Sequence, residues 1–139
     1  MATTDDNKQL VREYFRAFLQ RDEAWWRARV ALSFVRHDPG LPFEVRGPEG
    51  VRQLADALLP GIPDMELPIE DLVAEGEKVL ARLRVKGTHR GELMGLPATG
   101  KRIDIAVLDL FQIRDGMLIE HWALLDNLGM LRQLGVTSI

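Results

Sequence analysis

The run KRIDIAVLDLFQI, residues 101–113, alternates along its length and is apolar on both sides of the alternation. Successive side chains on a strand point to opposite faces. One face therefore carries Ile103, Ile105, Val107, Asp109, Phe111 and Ile113. The other carries Asp104, Ala106, Leu108, Leu110 and Gln112, which is apolar at its centre as well. A sheet built from such a strand has to be covered on both sides, by helices on one and by a partner subunit or further structure on the other. This predicts a homodimer, or a higher homo-oligomer, through the outer sheet face.

Three more runs in the second half read as strands: MELPIEDLVAEG, KVLARLRVKGTH and MLIEHWALLD. Glu75-Gly76-Glu77 and Arg114-Asp115-Gly116 are hairpin turns, and RGELMGLPATG is a glycine- and proline-punctuated loop. The first half is helical. Leu10, Val11, Tyr14, Phe15 and Phe18 form one apolar stripe over residues 5–20, with Thr4 or Asp5 as its cap. Asp22 is placed to cap a second helix running to about Leu32, and SFVRHD reads as a short strand. After the turn-rich DPGLPFEVRGPEG, Pro48 suits the first turn of a third helix, VRQLADALL, which Pro60 ends. DNLGMLRQLG closes the chain as a short helix, capped by Asp126. Helices first and a strand meander second mean an α+β fold with the helices on one face of the sheet.

Function classes narrow quickly. The 139 residues suit one domain with a sizeable core, and a net charge of −3 with scattered basic residues gives no footprint for nucleic acid. No apolar run approaches the length of a membrane span, and the polar, acidic start MATTDDNKQL is no signal peptide. The chain has no cysteine, which excludes thiolate chemistry and fits a cytoplasmic location. His37, His89 and His121 show no short ligand spacing, so no metal is expected. No glycine-rich nucleotide motif and no GxSxG elbow is present, which argues against cofactors of those types.

Two positions are wrong for a plain core. Asp109 is the only polar residue in its inward series, and His121 is the odd member of Ile119, His121, Ala123 and Leu125. A carboxylate among Ile, Val and Phe is costly unless paired or hydrogen-bonded; it either meets a buried arginine or backbone donors, or serves as an acid or base. Two neighbouring strands with one ionisable group each suggest a lined cavity. His89 ends its strand, at the cavity mouth or simply exposed, and His37 or Asp38 could face the same space. Trp25 or Trp26 could wall it, along with Phe15 and Phe111.

The blocks NKQLVREYFRAF (7–18), GPEGVRQL (47–54), GTHRGELMGLPATGKRID (87–104) and FQIRDGMLIEHWALLDNLGMLRQLG (111–135) together resemble the SnoaL-like polyketide cyclases, of the nuclear transport factor two-like superfamily. The resemblance implies a single domain over residues 1–139, a cone-like α+β barrel with N-terminal helices on a strongly curved antiparallel sheet. It also implies an apolar cavity for an aromatic polyketide, with no cofactor and no metal. Such cyclases close rings by intramolecular aldol condensation; related members are cofactor-independent hydroxylases. Their catalytic aspartate directly follows a His-Trp pair. Here His121 and Trp122 match, but the next residue is Ala123. Asp109 is therefore the expected base, with His121 as its partner or as an oxyanion donor. His37, Trp26, His89, Phe111, Ala123 and Phe15 are the expected substrate contacts.

Three alternatives compete. The chain could be a ligand carrier that lost the acid at position 123, or an assembly module using the outer sheet face. Epoxide opening, which this fold also hosts, needs two acids and an arginine. Asp109 and Asp38 are available for it, but Arg84 falls on the opposite face by alternation.

Overall fold

The computed structural model describes residues 2–136. Its elements run α1 (Thr4–Gln20), α2 (Glu23–Arg29), β1 (Val30–His37), β2 (Val45–Arg46), α3 (Gly47–Leu58), β3 (Ile69–Glu75), β4 (Lys78–Thr88), β5 (Arg102–Arg114), β6 (Met117–Leu125) and α4 (Asn127–Gln133). They build an α+β fold around one six-stranded sheet in the order β2-β1-β6-β5-β4-β3. β3 to β6 form the expected antiparallel meander, and β1 joins it in parallel beside β6. Both hairpins turn through glycines in the left-handed region, Gly76 and Gly116, where a side chain would be strained.

Local chemistry sets the boundaries. The cap of α1 is Thr3, one residue earlier than expected, because Thr3 and Asp6 exchange bonds in a capping box. Asp22 caps α2 as expected, accepting from the Trp25 amide, but the helix stops at Arg29 and the strand begins at Val30. Pro48 sits in the first turn of α3. Asp126 caps α4 by accepting from the Gly129 amide.

The inward face of β5 is Ile103, Ile105, Val107, Asp109, Phe111 and Ile113, all buried, as strict alternation demands. β6 breaks the rule once. Its register against β5 slips between Gln112 and Ile113, so Leu118, not Ile119, completes the inward series ahead of His121 and Ala123. Similar slips interrupt β1 and β3. Such bulges bend a sheet and increase its twist, which lets this one wrap around α1. The core packs between α1, α3 and the concave sheet face, around Tyr14, Phe34, Leu54 and Phe111.

Candidate active site

The concave face does not close completely. A cavity of about 470 Å³ remains, in the usual size range for small-molecule sites. α1 contributes Tyr14, Phe15 and Phe18; α3 contributes Leu54 and Leu58; β4 and β5 contribute Leu83, Val85, Ile105 and Val107. Leu93, Met94 and Leu96 of the β4–β5 loop and Met130 and Leu131 of α4 add further apolar wall. Against this background the few polar groups stand out: Tyr14, Arg36, Asp38, Asp109 and Asn127.

Asp109 is 4% exposed, and its Oδ1 lies 3.1 Å from His121 Nε2. The contact is close but not aligned as a hydrogen bond, so neither atom is satisfied by it. His121 is wholly buried and stacks on Phe111, with ring centroids 4.1 Å apart, while Tyr14 meets it edge-on. Burial pushes the imidazole below its usual pKa; the Asp109 charge pulls the other way and Arg36 adds to the depression. The ring is therefore neutral near pH 7, and its proton is assigned to Nε2, where it faces the carboxylate.

Arg36 and Asp38 form the second pair. The guanidinium donates from Nε (3.2 Å) and Nη2 (2.8 Å) to Asp38 Oδ2, and Asp38 Oδ1 accepts from the Gly40 amide at 3.0 Å. Both side chains are over nine-tenths buried. Burial opposes the Arg36 charge, but Tyr14, Asp109 and Asp38 together outweigh it. Burial also pushes the Tyr14 phenol up to about 12, and its hydroxyl has no partner among the described residues.

Several expected contacts lie elsewhere. His37 is on the outer face, 2.6 Å from Glu120 Oε2 and stacked on Trp122, because alternation from buried Phe34 sends Arg36 inward and His37 outward. Trp26 lines a separate surface pocket between α2 and the start of α3, with Arg27, Arg46 and Arg52. His89 is fully buried rather than at a mouth; its Nδ1 accepts from the Thr99 amide at 3.3 Å and ties down the base of the loop. Phe111 and Ala123 pack behind the wall rather than on it. Phe15 does line the cavity. Among the described residues, no three His, Asp or Glu side chains are grouped to hold a metal ion.

Residues 8–134 match the family described as SnoaL-like polyketide cyclase. The chain belongs to that family. It is 36% identical over 103 residues to the aklanonic acid methyl ester cyclase DnrD of Streptomyces peucetius, an alignment covering 73% of this chain and 68% of DnrD. Among solved structures it is similar to TsrD of Streptomyces laurentii, with 30% identity, a TM-score of 0.84, and coverage of 98% of this chain and 99% of TsrD. AclR of Streptomyces galilaeus, a candidate hydroxylase, matches at 26% identity and a TM-score of 0.82 over 98% of this chain and 100% of AclR.

Within this SnoaL-like chain the departure at Ala123 acquires a geometric meaning. Ala123 and Asp109 are direct cross-strand partners. Neighbouring partners on one face lie about 5 Å apart, so the Asp109 carboxylate stands one strand over from Ala123. Sequence reasoning missed Arg36 and gave Tyr14 only a core role. The signal for Arg36 was present: Phe34, Arg36 and Asp38 share a parity, and Phe34 has to point inward.

Proposed function

We propose that the chain is a cofactor-independent, cyclase-like enzyme that binds an aromatic or polycyclic small molecule in this cavity and acts by proton abstraction. The observation that carries the reading is the Asp109–His121 pair, the carboxylate on the wall of an apolar cavity and the imidazole buried behind it. Asp109 takes a proton from carbon beside a carbonyl. The C–H electron pair forms the enolate, and its carbon attacks a second carbonyl of the same molecule, forming a C–C bond. The resulting alkoxide recovers the proton from Asp109. His121 does not line the cavity. Its role is to position Asp109 through Nε2, not to touch substrate. Hydroxylation shares the first step, since the same carbanion can meet dioxygen.

The likeness to DnrD makes aklanonic acid methyl ester the first substrate to try. Asp109→Asn should lower turnover by about 10²–10⁴-fold with ligand affinity retained. Wild-type turnover in that variant rejects the reading. Binding without turnover in the wild-type protein supports a ligand carrier instead.

Epoxide opening gains from Arg36, which joins Asp38 and Asp109 in the cavity as Arg84 does not. It ranks second because Asp38 already accepts two hydrogen bonds from Arg36 and one from the Gly40 amide, which commits it to holding the guanidinium. Hydrolysis of styrene oxide, abolished by Asp38→Asn, would reverse that ranking. The homodimer belongs to the proposal as well. Leu80, Leu108, Trp122 and Leu124 leave an apolar field exposed on the outer sheet face.

A further inference from the structure

Proton abstraction beside a carbonyl leaves negative charge on the carbonyl oxygen, and donors held ready for that charge are the strongest aid a site can offer. The Asp109–His121 pair does not supply them. Both His121 nitrogens are buried, and the ring lies off the cavity wall. Asp38 and Asp109 present acceptors. The charged or phenolic donors left on the wall are Tyr14 and Arg36.

Tyr14 is 2% exposed, lines the cavity, and has a hydroxyl without a partner among the described residues. A buried phenol in a folded protein normally finds one. Arg36 gives Nε and Nη2 to Asp38, while Nη1 has no hydrogen-bond partner among the described residues. The two groups are neighbours: Arg36 acts on the Tyr14 hydroxyl as the strongest nearby charge and from close to hydrogen-bond range, without the alignment of a hydrogen bond, and Asp109 is the next charge. Arg36 is the cross-strand partner of His121, the Tyr14 ring meets that imidazole at 6.0 Å, and Asp109 lies 3.1 Å from it, so acid and donors gather at one end of the cavity. Asp38 holds the guanidinium in place and offsets its charge, so the site favours a developing anion without requiring a substrate that is already charged.

We propose that Tyr14 Oη and Arg36 Nη1 form an oxyanion site, which selects aromatic substrates whose enolisable ketone reaches this end of the cavity. The assignment rests on the proton-abstraction reading above. As Asp109 removes the α-proton, the carbonyl π electrons move to oxygen, which accepts hydrogen bonds from the phenol O–H and the guanidinium N–H. When the enolate carbon forms its new bond, the electrons return and the two donors are released unchanged. The raised Tyr14 keeps its proton throughout and acts as a donor, not an acid.

The test uses 2-naphthol as an enolate mimic, bound to the full chain carrying Asp109→Asn to remove the competing charge. Naphthol and naphtholate are distinguished by absorbance across a pH titration. The naphtholate should bind about tenfold or more tighter than naphthol, the usual size for hydrogen bonds to a charged group. Tyr14→Phe should remove roughly tenfold of that preference while leaving naphthalene binding unchanged. Arg36→Met should do the same, and Arg36→Lys, the safer fold, should retain part of it. Equal affinity for the two forms, or a preference untouched by Tyr14→Phe, overturns the site. No turnover is needed for the readout. A wild-type protein that prefers naphtholate yet turns over no ketone counts for the oxyanion site and against the proposed reaction.

Discussion

His121 is packed between Phe111, Phe34 and Tyr14, and its surroundings favour the uncharged ring even with Asp109 beside it. That has a consequence for stability. The folded protein holds this imidazole below its ordinary value of 6.5, so the unfolded chain binds the proton first. Stability falls wherever the unfolded state binds more protons as pH drops. Wild-type protein should therefore lose Tm from about pH 6.5 downward more steeply than His121→Gln, which keeps a donor toward Asp109 but does not titrate. Parallel curves by differential scanning calorimetry would place the charge elsewhere. The same variant should change the pH profile of kcat, since the position and charge state of the Asp109 partner change with it. Tyr14 makes the opposite case. It is the only tyrosine in the chain, so phenolate absorbance reads it alone. With its pKa pushed up to about 12, the folded protein should show no phenolate signal through pH 10. Stability should then decline as pH rises past the ordinary phenol value of 10.0, because the unfolded chain releases that proton sooner.

At the level of elements, the strands were readable where packing obeys alternation and misread where it does not. In β5 the inward series is regular, and Asp109 could be placed in it by parity alone. β6 contains a bulge, and a bulge shifts parity by one; the expected Ile119 gave way to Leu118 although His121 kept its side. Bulges have no reliable residue signature, since they answer to the curvature of the whole sheet. α4 shows a different dependence. It buries none of its residues fully; Met130 packs on the core from one side, and polar groups fix its ends: the Asp126 cap, and Gln133, which exchanges two hydrogen bonds with the Asp104 backbone at 2.8 Å each. Asp126→Ala should cost about 1 kcal/mol, the usual worth of an N-cap. Hydrogen exchange should show that loss concentrated in residues 127–134, with β5 amides protected as before. A loss spread evenly over the sheet would mean that α4 is not a local unit.

At the scale of the molecule, the two faces of the sheet differ in kind. The concave face encloses the cavity, and the convex face exposes Leu80, Leu108, Trp122 and Leu124. Charged pairs flank this field, among them Arg82–Asp71 and Arg84–Asp104, while Lys78 Nζ lies 5.9 Å over the Trp122 ring. If the field is a subunit interface, Leu108→Asp should convert a dimer into a monomer, measured by light scattering or sedimentation, with an unchanged circular dichroism spectrum. A monomeric wild-type protein would remove the interface. Because residue 108 points away from Asp109, the monomer should keep the cavity and its ligand.

The sequence by itself determined the order of the elements apart from the short β2, the inward side of β5 and of β6 from His121 onward, and the membership of Asp109 and His121 in one apolar layer. Those follow from periodicity, capping and the cost of an isolated polar group, all of which act along the chain or across one strand. Only the tertiary structure decided what stands opposite them. β1 lies parallel to β6, and that pairing sets the inward Arg36 beside His121 and so near Asp109, while His37 meets Glu120 and Trp122 on the outer face. Tyr14 reads as an ordinary member of an apolar helical stripe until the tertiary structure buries its hydroxyl beside Arg36 with no partner among the described residues. The site is set by the shape that the bulged sheet leaves unfilled, and an unfilled volume has no residue of its own to announce it.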